Sequence, residues 1–209
     1  MKKLKIIIWD FDGVIVDSRE LSLELNQKQY ENVTEESQRD LCSGNIYIEV
    51  RKLKKKNFSE DEKEDFLKNS YFPRKMELIP VPGISEIIEK LSKEYSMVIN
   101  SSAREEPLSA YLIKHNLPFY FKKIYGKETS KSKEEKFKLI LKEFGVEADE
   151  CLFITDTIGD VHEAMAVKIK SIGVLWGYQR RKHFTSCEEE IILVEKPVEL
   201  IDLIKKFKN

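Results

Sequence analysis

Leu4-Lys5-Ile6-Ile7-Ile8-Trp9 runs straight into Asp10-Phe11-Asp12-Gly13-Val14, and the rest of the architecture follows from that junction. A short apolar run closed by acids and a glycine reads as the first strand of a buried parallel sheet. Its end lies at the edge where open α/β sheets hold their ligand sites. In extended backbone, residues i and i+2 point the same way. The carboxylates of Asp10 and Asp12 are therefore expected on one side, one placed to attack a substrate and the other to handle its proton. Gly13 allows a turn that a side chain would obstruct. Acids and glycine are also ordinary turn punctuation, so the surrounding segments carry the case.

From Val81 onward, apolar runs alternate with helix-periodic segments, the pattern of strand–helix–strand units. Ile84, Ile87, Ile88 and Leu91 fall at i, i+3, i+4 and i+7. The spacing recurs at Phe137, Ile140, Leu141 and Phe144, and at Leu200, Leu203, Ile204 and Phe207. Each predicts a helix burying one stripe on a sheet. Strands are expected at Leu4–Trp9, Ser96–Asn100, Lys122–Tyr125, Cys151–Thr155 and Ser171–Leu175. The fold class is α/β, a doubly wound, mostly parallel sheet. The core is expected over residues 1–17 and 80–209, with an all-helical insertion over 18–79. In that insertion Leu21 and Leu25 hint at one stripe, while Ile46, Val50 and Leu53 keep another. Ser59 followed by Glu60-Asp61-Glu62 predicts a capped helix start. An insertion leaving so close to Asp10 can fold over the sheet edge as a lid.

Among 209 residues, 36 basic and 37 acidic side chains nearly cancel. No global field draws the protein to nucleic acid or to an anionic membrane, and neither is expected as a partner. The first apolar run contains Lys5 and meets Asp10 rather than a small-residue cleavage site, so it reads as a strand and not a leader. Cys42, Cys151 and Cys187 lie far apart in no metal-ligand spacing. Reduced thiols and a cytoplasmic location are the expectation.

Three further segments belong to the same edge. Asn100-Ser101-Ser102 offers amide, hydroxyl and backbone donors at a strand end. Thr129-Ser130-Lys131-Ser132-Lys133 puts an ammonium beside a helix N-terminus, a natural anion site. Asp156-Thr157-Ile158-Gly159-Asp160 places two carboxylates four apart around a glycine. Together these supply acids for a hard divalent cation, a lysine to offset their charge and donors for a tetrahedral anion, a phosphoryl-transfer site in outline.

In this order the four segments closely resemble the haloacid dehalogenase superfamily of aspartate-nucleophile hydrolases, in its capped phosphatase branch, over essentially the whole chain. The resemblance implies a magnesium-dependent phosphatase acting on a small phosphorylated metabolite. Asp10 would be the nucleophile and a Mg2+ ligand. Asp12 would be the general acid and then the base, and its backbone carbonyl a further ligand. Asp156 and Asp160 would complete the metal set. Crowding by like charges is expected to help Asp12 hold the proton it needs. Halide-releasing and phosphonate-cleaving members lack an aspartate at that position, so Asp12 points to phosphate esters. Phosphate contact is assigned to Ser101, with Asn100 as the alternative, and to Lys131, with Lys133 as the alternative. A phosphomutase, or a regulatory protein without turnover, is the competing reading. Arg51-Lys52 and Lys54-Lys55-Lys56 read as a solvated face, with the attraction of an anionic substrate as the alternative. Gly44 reads as an interhelical turn, with a loop touching substrate as the alternative, and Trp176-Gly177-Tyr178 as packing or pocket rim.

Overall fold

Ile6–Trp9 (β1) is buried along its whole length at the centre of a parallel sheet. The structure, a computed structural model, describes residues 3–185 and 191–207, and Cys187 lies outside them. The other strands are β2 (Ser96–Asn100), β3 (Lys123–Tyr125), β4 (Cys151–Thr155), β5 (Lys170–Val174) and β6 (Ile192–Val194). Their order is β3-β2-β1-β4-β5-β6, with every pair parallel. The sequence reading does not anticipate β6, an edge strand of three residues whose apolar run is too short to separate from a loop.

Alternation along the strands divides the core. Ile7, Trp9, Met97 and Ile99 face one way, against α6 (Ile84–Ser92), α7 (Glu105–Lys114) and α11 (Glu199–Lys206). Ile6, Ile8, Val98 and Phe153 face the other, against Phe137 and Ile140 of α8 (Lys133–Phe144) and Ala164 of α9 (Ile158–Ala166). Cover on both faces explains why the strands read as continuous apolar runs. A short α10 (Arg181–Phe184) follows β5.

Register aligns the site. Trp9 sits opposite Ile99 on one side and Ile154 on the other. The next residues along, Asp10, Asn100 and Thr155, therefore emerge side by side at the carboxyl edge. Strand order reverses about β1, which has β2 on one flank and β4 on the other, the switch point where such sheets take ligands.

Between β1 and β2 the chain forms α1 (Arg19–Gln29), α2 (Glu35–Leu41), α3 (Ile46–Glu49), α4 (Glu60–Phe66) and α5 (Phe72–Glu77). A π-helical turn, Leu67–Tyr71, joins the last two. Ser59 caps α4 in a reciprocal box with Glu62, and Thr34 does the same for α2 with Ser37. Each such cap contributes about 1 kcal/mol. The stripe Ile46, Val50, Leu53 does not become one helix. α3 stops at Glu49, and Val50–Lys52 is a single 3-10 turn. The lysines that follow would sit as like charges one turn apart. The two strands of chain linking this helical layer to the sheet cross where Val16 bridges Pro80 and Val81 N donates to Ile15 O at 2.8 Å. No helix among the described residues is long and apolar enough to cross a membrane.

Candidate active site at the carboxyl edge of the sheet

Asp10 is 7% exposed and fixed by both oxygens. Oδ1 accepts from the Phe11 N–H at 2.7 Å, and Oδ2 meets the Lys133 ammonium at 2.8 Å. The same ammonium reaches Asp160 Oδ2 at 2.6 Å, and Thr155 Oγ1 donates to that oxygen at 2.9 Å. Asp156 is fully buried, with Oδ2 accepting from Tyr178 N at 2.6 Å and Oδ1 without a hydrogen-bond partner. It lies in a slot between two glycines. A β-carbon at Gly13 would come within 2.0 Å of Asp156 Oδ2, and one at Gly177 within 2.2 Å. Gly13 also carries φ +79°, so both its conformation and the space require glycine.

Asp12 has different company. Its Oδ1 pairs with Lys75 of α5 at 2.5 Å and accepts from Ser18 Oγ at 2.5 Å. Lys75 is 5% exposed, with its ammonium 5.2 Å from the Phe11 ring centroid. Burial opposes the charge on Lys75, but Asp12 and Tyr71 outweigh it and hold its pKa above the usual lysine range. Acid crowding, expected at Asp12, falls instead on Asp10, Asp156 and Asp160. The reason is direction: Asp10 turns toward α8, whereas Asp12 turns toward α5 and the start of α1.

Burial, then Asp160 and Asp156, push the Asp10 carboxyl well up, against the pull of Lys133. Burial likewise raises Asp156, to about 7. Asp160 goes down: burial opposes its charge, and Lys133 overcomes that. Lys133 thus pairs with Asp10 and Asp160, leaving Asp156 without an ion pair and its Oδ1 orphaned. An all-carboxylate oxygen set with that deficit fits a hard divalent cation, with Asp10, Asp156 and Asp160 as donors. Among the described residues the trio that already brings three ligand atoms within 4.8 Å is a different one, Glu36, Asp40 and His183 at the surface. There Lys182 and Arg39 already pair with Glu36.

Asp10, Asp12, Ser101, Lys133, Asp156 and Asp160 line one cavity of about 340 Å³, whose upper wall is the helical layer. A larger hollow of about 850 Å³ beside the crossing chains holds none of these acids. The closure is bonded. Gly159 N donates to Cys42 O at 3.1 Å, and a β-carbon at Gly159 would lie 2.6 Å from Gly44 O. Gln179 accepts from Ile158 N and donates to Arg39 O at 2.8 Å. Asn45 Nδ2 reaches Glu163 at 3.2 Å, and that carboxylate also accepts from the Lys133 N–H at 2.8 Å. Tyr47 donates to Ser102 O. Cys42 lines the cavity, but burial, reinforced by the acids, pushes its thiol far up, so it stays protonated.

Two expectations need correction or refinement. Lys131 does not enter the cluster. It is exposed, its ammonium 5.8 Å from the Tyr47 ring centroid, and Lys133 takes the place assigned to it. Ser132 caps α8, so Lys133 opens the helix and begins its buried stripe with Lys136, Phe137 and Ile140. Extending that stripe one turn back from Phe137 reaches Lys133, a signal the sequence carried. At the end of β2 it is Ser101 that lines the cavity. Asn100 is turned aside, and its Nδ2 donates to Lys133 O at 3.3 Å. Sequence reasoning missed Lys75, Glu163 and the Tyr178 N–H, each brought in from a distant element. It also missed Lys136, fully buried, whose ammonium donates to Ser101 O at 2.5 Å. Burial, then Lys133, pull Lys136 down to about 8.

A doubly wound sheet with an acid–lysine–hydroxyl cavity at its switch point and a helical lid defines a capped α/β hydrolase. The family model for haloacid dehalogenase-like hydrolases matches residues 7–174, and the chain belongs to that family. It is 21% identical to a phosphoglycolate phosphatase of Aliivibrio fischeri, over 90% of this chain and 92% of that protein. Similar solved structures include a hydrolase from Pseudomonas syringae (TM-score 0.77, 20% identity, 98% of this chain and 100% of that one). Another is a predicted phosphatase from Clostridium acetobutylicum (TM-score 0.74, 21% identity, 98% of each chain). At these identities the likeness of structures speaks for the fold.

Proposed function

We propose that this hydrolase is a magnesium-dependent phosphatase that acts on a small phosphorylated metabolite through an aspartyl-phosphate intermediate. The observation that carries the reading is the Lys133 ammonium held between Asp10 and Asp160, in one cavity with Asp12 and Ser101. The phosphatase named among the relatives agrees with it.

In this reading Lys133 and Ser101 bind the phosphoryl oxygens, and Asp10 Oδ attacks phosphorus as the ester P–O bond breaks. Asp12 gives its proton to the departing oxygen. Asp12 then takes a proton from water, which attacks the aspartyl phosphate and frees inorganic phosphate and Asp10. Asp10, Asp156 and Asp160 would hold Mg2+, which supplies charge neutralisation for the phosphoryl oxygens. Closure by the helical layer keeps bulk water from the cavity until the alcohol has left.

The test is phosphate release from p-nitrophenyl phosphate with Mg2+, using purified protein and Asp10→Asn. Turnover by the wild type that disappears in the variant is the expected result. An inactive wild type, or an Asp10→Asn variant that still turns over, overturns the proposal.

A further inference from the structure

The cavity floor is acidic. Asp10, Asp12, Asp156, Asp160 and Glu163 line it, with Lys133 paired to Asp10 and Asp160 and Lys75 to Asp12. The wall contributed by the helical layer is different. Leu25, Tyr30, Ile46 and Val50 supply hydrocarbon and an aromatic face, and Asn26, Gln29 and Gln38 supply carboxamides. All three amides are held in place: Asn26 Nδ2 donates to Gln38 Oε1 at 2.7 Å, and Gln29 Nε2 to Leu25 O at 3.2 Å.

Cations are plentiful in this layer; Lys75 is taken up by Asp12, and those at the layer's surface face away from the cavity. Lys52 pairs with Glu49, Lys54 with Glu31 and Arg74 with Glu24, while Lys56 donates to Gln27 O. Arg51 and Lys55 are exposed. Among the residues lining the cavity from this layer the single cation is Lys63, with its side chain 31% exposed and its ammonium 3.9 Å from Glu60. A carboxylate or second phosphate on the leaving group would shed water against hydrocarbon and amides.

We infer that the substrate is the monophosphate of a small uncharged alcohol, with hydroxyls for the amides and a hydrocarbon face for Leu25, Ile46 and Val50. This inference rests on the phosphatase reading. A volume of about 340 Å³ lies near the small end of ligand sites, so the alcohol is compact.

The experiment compares kcat/KM with Mg2+ for two matched pairs: phenyl phosphate against 4-carboxyphenyl phosphate, and 2-hydroxyethyl phosphate against 2-phosphoglycolate. The uncharged member of each pair is expected to be better by roughly tenfold or more, mainly through KM. Val50→Arg, which adds a cation to the wall, is expected to narrow that ratio by roughly tenfold. Equal or better turnover of the carboxylated members overturns the inference, and loss of that preference in Lys63→Met would assign their carboxylate to Lys63. A ratio unchanged in a Val50→Arg protein with wild-type circular dichroism overturns the role of the wall. Failure of all four esters to release phosphate removes the phosphatase reading itself, and this inference with it.

Discussion

Asp12 and Lys136 show how much a single side chain decides. Asp12 is held by Ser18 and Lys75, not by the donors around Asp156. Asp12→Asn keeps the shape and leaves the Asp10, Asp156 and Asp160 side chains in place. We expect turnover to fall by roughly a hundredfold or more, while the Mg2+-induced rise in melting temperature survives. A near-normal rate would remove Asp12 from the chemistry. Lys136 makes a prediction of its own. Its pKa falls from 10.5 to about 8 in the folded protein, mainly through burial. Between those values the unfolded chain binds more protons than the folded one, so stability contributed by this group rises with pH across that window. Urea midpoints measured from pH 7.5 to 10 (roughly the span of that window) are expected to climb in the wild type relative to Lys136→Met. Parallel curves would deny the lysine its depressed pKa.

At the scale of elements, the contact that matters most is between the loop after α2 and the start of α9. Gly159 N donates to Cys42 O, and a β-carbon there would meet Gly44 O at 2.6 Å and Cys42 O at 2.7 Å, backbone atoms that cannot rotate aside. Gly159→Ala is therefore expected to lift the helical layer from its seat without disturbing the sheet. Misplacing a catalytic enclosure by about 1 Å costs up to about a hundredfold in rate. We expect kcat/KM to drop by roughly ten- to a hundredfold, with the urea midpoint nearly unchanged. A variant with full activity would show that closure does not run through this seat. The element scale also explains the lysine assignment. Which of two neighbouring lysines reaches the acids depends on where Ser132 caps α8, and capping fixes the phase of the whole helix.

For the molecule as a whole, the uncompensated acids at the sheet edge set stability against function. Asp10 and Asp160 share one ammonium, while the buried Asp156 has no ion pair and its Oδ1 no hydrogen-bond partner. Without Mg2+, at a pH above the value of about 7 to which burial raises Asp156, Asp156→Asn is expected to melt at a higher temperature than the wild type, because a buried charge is removed at little cost in shape. With Mg2+ the order is expected to reverse. Saturation to about 100 Kd adds about 2.7 kcal/mol to a protein that binds the ion, and the variant forfeits most of it. Thermal melts of both proteins with and without Mg2+ check this. A wild type indifferent to the ion would exclude the acids as its ligands.

The sequence by itself determined five strands of the sheet, their parallel sense, and the edge at which Asp10, the Asn100-Ser101 pair, Asp156 and Asp160 gather. Those features are local. Each strand carries its apolar run, each helix its stripe, and the acids sit next in chain to the strands that place them. It did not determine β6, too short to leave a pattern, or the choice of Lys133, which needed the cap of α8. Nor could it yield the pairing of Lys75 with Asp12, the grip of the Tyr178 N–H on Asp156, or the neutral wall above the acids. Those contacts join residues that are 63 and 22 positions apart in the chain, and only packing of the helical layer onto the sheet brings them within hydrogen-bond range. No periodicity in one segment encodes the direction in which another segment's side chain will turn.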